Sequence, residues 1–115
     1  MYKVVFKAGF AHASKEEENK YYIVGLSEDE FDYEKYIIFQ KSYDPKESED
    51  IFIGCNGDQC VNCCTYISVS NTAMILHVAG SEINIDIEHL TLPENFTDYL
   101  KKIFGNQLEI KTDAR

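Results

Sequence analysis

Apolar residues in the first half of the chain occur in short runs separated by polar clusters, which is a pattern typical of β-strands joined by loops. Strands are predicted at residues 2–7, 21–26, 36–41 and 51–53, because each run is rich in β-branched and aromatic residues. The polar segment 14–20, which contains three consecutive glutamates, is predicted to be a loop. The first half of the chain therefore predicts four strands with polar connections.

The clearest strand pair in the sequence is residues 61–69 with residues 72–78, joined through residues 70–71. A two-residue connection fixes the register of a hairpin, and here it would place Ile67 directly opposite Met74. One face of this hairpin is apolar and is expected to meet the core, whereas the other face carries more polar side chains.

One amphipathic helix is predicted at residues 92–104. Thr91 and Glu94 fit a capping box at its start, and Gly105 is the expected stop at its end. Five apolar side chains recur at helical spacing and form a single stripe. They are Phe96, Tyr99, Leu100, Ile103 and Phe104.

Two further strands complete the predicted elements. Isoleucines alternate with polar residues over residues 83–87, which is the period of a strand with one solvated face, and a last strand is predicted at residues 108–111. The elements together predict an α+β fold with a single domain over residues 1–115. Its mostly antiparallel β-sheet would carry the C-terminal amphipathic helix packed on one face.

Composition narrows the partners that such a domain can bind. The chain has 115 residues, of which 44% are apolar, and this is enough for one domain with one hydrophobic core. Its formal net charge is −9, and its only arginine is Arg115. Such a chain cannot build the basic surface that neutralises a phosphate backbone, so direct binding to nucleic acid or to membranes is not expected. Cationic protein surfaces remain as partners.

The expected cellular location of the protein is inferred from its N-terminal residues and from the length of its apolar runs. Only three apolar residues lie between Lys3 and Lys7, whereas a secretory signal needs about seven to fifteen, and no run reaches transmembrane length. A cytoplasmic protein of bacterial type is expected, with reduced thiols that mostly pack as small apolar side chains. These thiols belong to Cys55, Cys60, Cys63 and Cys64.

The cysteine spacing resembles that of an iron–sulfur protein but is incomplete. Cys55, Cys60 and Cys63 have the C-x4-C-x2-C spacing of plant-type ferredoxins, and such a cluster needs four thiolates. The fourth cysteine, Cys64, directly follows Cys63, and adjacent strand residues point to opposite faces. Core and loop thiols are therefore preferred over a cluster.

Two other kinds of chemistry could use the same cysteines. A zinc site would combine Cys60 and Cys63 with His77 and His89, but the two histidines are twelve positions apart instead of about three to five. The expected hairpin register also places Cys64 opposite His77, as a nucleophile and its base would be, although nothing marks a third orienting group. No catalytic residue, metal or cofactor is therefore predicted.

Charge is concentrated in one part of the chain. Residues 28–58 contain ten carboxylates and three lysines, so they carry −7 of the net charge of −9, and aromatic residues are interspersed among them. This mixture is expected either of acidic loops that keep a small domain soluble or of a partner-binding surface, on which carboxylates steer a basic partner and tyrosines anchor it. The predicted partner-binding residues are Glu28, Asp29, Glu30, Asp32, Tyr33, Glu34, Tyr43, Asp44, Glu47, Glu49 and Asp50.

An alternative interface is the solvated face of the strand at residues 83–87, which carries acidic side chains and could accept a partner strand at its edge.

The order of segments resembles a known family over residues 21–104. A strand containing Gln40 leads to the acid–aliphatic–aromatic step at residues 50–52; a glycine-containing turn, a hairpin, an alternating strand and an amphipathic helix that ends at residues 100–104 follow. This arrangement is similar to the immunity protein 10 family, predicted immunity proteins of bacterial polymorphic toxin and contact-dependent growth inhibition systems. The resemblance implies a small cytoplasmic protein that binds and neutralises a toxin made by the same cell. It transfers no catalytic or binding residues.

The resulting hypothesis is a non-enzymatic immunity protein that occludes the active site of a cognate toxin domain. A nuclease is the expected toxin, because nuclease clefts are basic and carboxylates can take the positions of phosphates. Two alternatives remain open: a small cysteine-based metal-binding or redox enzyme, and an acidic mimic of nucleic acid directed at another basic protein.

Overall fold

A computed structural model of the protein describes residues 2–29, 35–44, 46 and 49–111. Within these ranges the chain forms ten strands, one α-helix and a short 3₁₀ turn at Gly105–Gln107. The elements are β1 (Tyr2–Lys7), β2 (Phe10–Glu16), β3 (Tyr21–Ser27), β4 (Tyr36–Ser42), β5 (Ile51–Cys55), β6 (Asp58–Val61), β7 (Cys64–Val69), β8 (Ala73–Val78), β9 (Ser81–Asp86), α1 (Phe96–Phe104) and β10 (Leu108–Ile110).

The strands form two five-stranded sheets instead of the single sheet that the sequence predicts. The first sheet has the order β1-β9-β8-β7-β10, and its two outer pairs, β1 with β9 and β10 with β7, are parallel. The second sheet is an antiparallel meander in the order β2-β3-β4-β5-β6. Antiparallel pairing dominates and the helix is C-terminal, so the α+β prediction is confirmed. The chain therefore begins and ends in the first sheet and builds the second sheet between.

Apolar side chains from both sheets and from the helix form one hydrophobic cluster. The helix packs on β2, β3 and β4 of the second sheet and also reaches β10. Phe104 of the helix meets Phe39 of β4 edge-on, with ring centroids 5.1 Å apart, a favourable aromatic arrangement. The predicted stripe is confirmed, since four of its five members are buried and Tyr99 packs against the cluster.

The helix begins at Phe96, later than predicted. The backbone N–H of Phe96 donates to the carbonyl of Pro93 (3.0 Å), so a turn precedes the helix. Asn95 takes the N-cap position without a side-chain hydrogen bond, and the capping box expected from Thr91 and Glu94 does not form. The predicted stop is correct, because Gly105 caps the C-terminus with a φ of 59°.

Strand β2 replaces the first three residues of the loop predicted at residues 14–20. It runs to Glu16, and only residues 17–20 form a turn. Its core-facing positions include Ala11 and Ala13, whose small side chains pack opposite β3. Alanine contributes little to the apolar signal of a strand, so the sequence pattern missed this edge strand.

The hairpin of β7 and β8 has the predicted faces but a different register. Ile67 lies opposite Leu76 instead of Met74, a shift of two residues, and a bulge follows Cys64. A shift of two returns each side chain to the same face, so Ile67, Leu76 and Met74 are all buried as expected. The predicted pairing is therefore wrong. The predicted core face is right for these three residues but wrong for Thr65, which lies at the bulge and is exposed.

The side chain of Ser70 explains the shift. Its Oγ accepts hydrogen bonds from the backbone N–H groups of Thr72 (3.2 Å) and Ala73 (3.1 Å), and its own N–H donates to the carbonyl of Ala73 (2.9 Å). Serine favours such local turns. The two-residue turn is therefore centred on residues 71–72 instead of residues 70–71.

Candidate functional site

Cys60 and Cys63 form a disulfide, so the expectation that all four thiols are reduced is wrong for this pair. Cys60 lies in β6, and Cys63 lies in the connection that leaves the second sheet for β7. Asn62, between them, has a positive φ of 54° and donates its backbone N–H to the carbonyl of Ile51 (2.8 Å). This turn brings the two Cα atoms to 6.1 Å. Sulfurs bonded to each other are not thiolate ligands, which removes two members from each metal set considered in the sequence.

The two free cysteines, Cys55 and Cys64, are half-buried, and burial raises the pKa of both thiols above their usual range. Asp58 raises the pKa of Cys55 further by charge repulsion. At Cys64 burial is the larger cause, and a backbone hydrogen bond with Tyr66 lowers the pKa by less than burial raises it. A raised pKa leaves little nucleophilic thiolate at neutral pH, which disfavours a cysteine nucleophile.

The predicted contact between Cys64 and His77 does not form. Because of the bulge, Cys64 lies opposite Val78, and His77 lies opposite Tyr66 with their ring centroids 5.1 Å apart. In the part of the chain that the structure describes, no group of three or more histidine, cysteine or acidic side chains is arranged to hold a metal ion.

The six predicted partner-binding residues that the structure describes lie at the two ends of the second sheet. The other five lie outside the described residues, namely Glu30, Asp32, Tyr33, Glu34 and Glu47. Glu28 and Asp29 directly follow β3, whereas Tyr43, Asp44, Glu49 and Asp50 lie in the connection between β4 and β5. These two groups are at opposite ends of β4, whose length of seven residues separates them by about 20 Å.

At the first end, the acidic connection is held against the start of β2. Glu28 donates its backbone N–H to the carbonyl of Lys35 (3.0 Å), and their exposed side chains approach to 3.8 Å. Gly9 donates its N–H to the carbonyl of Ser27 (2.9 Å). A side-chain carbon at position 9 would lie only 2.6 Å from the Glu28 carbonyl oxygen, so this close approach requires glycine.

At the second end, several of the predicted residues also hold the fold together. The Tyr43 ring lies 5.5 Å from the ring of Tyr22, and the Lys15 ammonium lies 4.5 Å from its centroid. Asp44 accepts the backbone N–H of Lys46 (3.0 Å) through Oδ1. Asp50 accepts a hydrogen bond from the amide of Asn62 (2.8 Å). Tyr43 therefore contributes to packing, and the two aspartates stabilise turns.

Between the two ends, the outward face of the second sheet contains a hollow of about 650 Å³ that the sequence analysis did not find. Its lining includes Phe10, His12, Ile23, Gly25, Tyr36 and Ile38. A signal was present, because β3 and β4 are apolar at consecutive positions instead of alternating ones. Strands of this kind place apolar side chains on both faces, as a sheet covered on both sides does.

Comparison with known families identifies the group to which the chain belongs. A family model described as immunity protein 10 matches residues 7–69, more than half of the chain. The chain belongs to the immunity protein 10 family. The match begins earlier than the resemblance at residues 21–104 and ends with β7, so it contains every strand of the second sheet. No curated protein and no solved structure matches the chain.

Membership in this family implies a toxin-neutralising function with a toxin as partner, and the family is generally non-enzymatic. The helix that the structure describes is too short to cross a membrane. The second sheet, with acidic residues at both ends and a hollow between them, is the candidate functional site.

Proposed function

We propose that this protein acts in the bacterial cytoplasm, as part of a polymorphic toxin or contact-dependent inhibition system. It binds a cognate toxin domain and occludes its active site. The observation that supports this proposal is the charge distribution, since residues 28–58 carry −7 of the net charge of −9 in a chain of the immunity protein 10 family. The surface would be formed by the eleven predicted residues, including those outside the described ranges.

The negative charge of this surface favours a toxin with a basic active cleft, as in a nuclease. A cleft that binds phosphates is lined by positive charge, and carboxylates placed at its mouth are attracted to the same groups. Because the attraction acts at long range, it accelerates association and is weakened by salt. Rapid capture matters for an inhibitor that protects the cell in which the toxin is made.

The direct test is coexpression with a cognate toxin domain, which is to be sought in the gene immediately upstream of the gene for this chain. Cells that produce the toxin domain alone should stop growing, and cells that also produce this chain should grow. The two proteins should copurify in equal amounts. If growth is not rescued and no complex is isolated, the proposed function is wrong.

The role of the acidic surface is tested by charge reversal at the first end of the sheet. Replacing Glu28, Asp29 and Glu30 by lysine should slow association and flatten its dependence on salt concentration. The matched control replaces by lysine three exposed acids that lie outside the second sheet and its connections, Glu88, Glu94 and Asp98. Both variants change the net charge equally, so a slower association in both would assign the effect to total charge and not to this surface.

A further inference from the structure

We infer that the outward face of the second sheet is the apolar centre of the toxin interface, and that its hollow receives an apolar or aromatic side chain from a basic protein surface. This inference rests on the proposed function and names the part of the molecule that performs it. Four observations support it: the shape of the face, its exposure, its lack of positive charge, and the acidic residues at its two ends.

A row of residues across the sheet contains the glycine that opens the hollow. His12, Gly25, Ile38 and Gly54 lie side by side on four neighbouring strands. Gly25 lines the hollow between His12 and Ile38, whereas Gly54 is buried beside the Tyr36 ring and is not part of the lining. A glycine inside a strand is typical of a site where another group approaches closely.

Gly25 is not required by the backbone of β3. Its φ is not positive, unlike that of three other glycines. A side-chain carbon at this position would lie 3.5 Å from both the Ile37 carbonyl oxygen and Ile38 Cγ1, which is ordinary van der Waals contact. The fold therefore has room for a side chain, and its absence leaves the hollow open.

The neighbouring row supplies aromatic walls. Phe10, Ser27 and Tyr36 lie side by side, and 44% of the Phe10 surface remains exposed. The Tyr36 hydroxyl accepts the backbone N–H of Gly57 (3.0 Å), which fixes the ring at the edge of the hollow. Aromatic side chains around a depression are typical of the centre of a protein–protein interface.

Lysine and arginine are absent from the outward positions of the five described strands of this sheet. The lysines of β2 and β4, Lys15 and Lys41, lie at the positions that alternate toward the core side. Carboxylates flank the face at both ends, through Glu28 at one end and Glu49 at the other, both exposed. An apolar centre with an acidic rim is complementary to a basic surface that presents an apolar side chain.

The same charges argue against a second copy of this chain as the occupant. Two copies stacked through this face would bring the acidic ends of one against those of the other, and each copy carries a net charge of −9. Like charges brought together at an interface oppose association. A small molecule is disfavoured because the face is open, so the bound molecule would keep much of its surface in water.

The test measures binding of the upstream-encoded toxin domain to three variants. Ile38→Asp places a charge in the centre of the hollow, and its Kd should rise about a hundredfold, as for a buried unpaired charge. Gly25→Val places a side chain in the hollow without adding charge, and its Kd should rise about tenfold or more, because the partner's side chain would then clash with it. The control is Ile75→Asp at the centre of the first sheet's outward face, where the Kd should stay within about threefold of wild type.

Circular dichroism and thermal unfolding establish that each variant is folded. If Ile38→Asp does not fold, Gly25→Val and the milder Gly25→Ala decide the question, since position 25 has room for a side chain. Folded Ile38 and Gly25 variants that bind as wild type does would overturn the inference while leaving the proposed function intact, because wild type still binds. A wild-type chain that does not bind the toxin domain overturns both.

Sedimentation of the free protein tests whether a second copy of this chain binds to the outward face. If wild type and Ile38→Asp are both monomeric, no second copy occupies this face, as the inference expects. A wild-type dimer that Ile38→Asp converts to monomer would overturn the inference, because the occupant would then be a second copy of the chain.

Discussion

The outward faces of the two sheets differ in how their charged and apolar side chains are arranged. On the first sheet, Glu82 lies 3.7 Å from the Lys3 ammonium and 3.7 Å from His77, whose ring packs against Tyr66. On the second sheet, the central row contains no acid or lysine, and apolar side chains surround a hollow. On the first face the Glu82 carboxylate has partners within the molecule, and the central row alternates the apolar residues Val5 and Ile75 with the polar residues Asn84 and Ser68. The second face exposes apolar surface to water, which a partner would remove.

The largest expected effect is a loss of stability when a core-facing residue of β4 is truncated, compared with a neighbouring residue on the outward face. Phe39→Ala should lower the free energy of unfolding by about 3–5 kcal/mol, because the ring is fully buried and meets Phe104 edge-on. Ile38→Ala, one residue away on the half-buried outward face, should cost only about 1 kcal/mol. Urea unfolding measures both. Equal losses would mean that the outward face belongs to the folding core and is not reserved for a partner.

The next effect concerns the point where the chain leaves the second sheet for the first. The Cys60–Cys63 disulfide closes a very short loop, for which chain entropy gives a stabilisation of about 2 kcal/mol. Replacing both cysteines by serine, or adding a reductant, should lower the denaturant midpoint by the corresponding amount. Cys55→Ser is the control, since this thiol is free. In a reducing cytoplasm the pair would be a dithiol, so the proposed location requires the reduced protein to remain folded and to bind the toxin.

A smaller effect of opposite sign is expected at Gly25. Gly25→Ala should raise the free energy of unfolding by about 0.4–1 kcal/mol, because alanine restricts the unfolded chain and its methyl group fits. Chemical denaturation of the variant and of wild type under the same conditions measures the difference. A destabilised variant would show that the fold itself requires this glycine, and the hollow would then be a by-product of the architecture.

Local signals explain what the sequence could predict. Strands β1, β3, β4 and β5, the helix stripe and the Gly105 stop depend on residues close together in the chain. The concentration of acids at residues 28–58 is also readable from the sequence. Its division between two ends of a sheet follows from β4, which runs between the two acidic connections.

Long-range signals explain what the sequence could not predict. The parallel pairing of β1 with β9 joins residues about eighty positions apart, and no local pattern encodes it. The hollow requires side chains from three strands to be set in register, so it exists only after the second sheet is assembled. The hairpin register was decided by one serine side chain, and the disulfide by the backbone turn at Asn62. The proposed apolar centre of the interface is thus the part least visible in the sequence.

The smallest expected effect concerns the contacts that Glu82 makes with Lys3 and His77 on the first sheet's outward face. Glu82→Gln removes the charge that Lys3 and His77 share, and it should cost about 0.5 kcal/mol or less, because the Lys3 and His77 side chains are 64% and 44% exposed and water screens such pairs. The loss should shrink further at high salt, which a comparison of unfolding midpoints at low and high ionic strength would reveal. Toxin binding should not change, since this face lies outside the proposed interface. Weakened binding by this variant, with stability nearly intact, would instead move the interface to the first sheet and so contradict the comparison of the two faces.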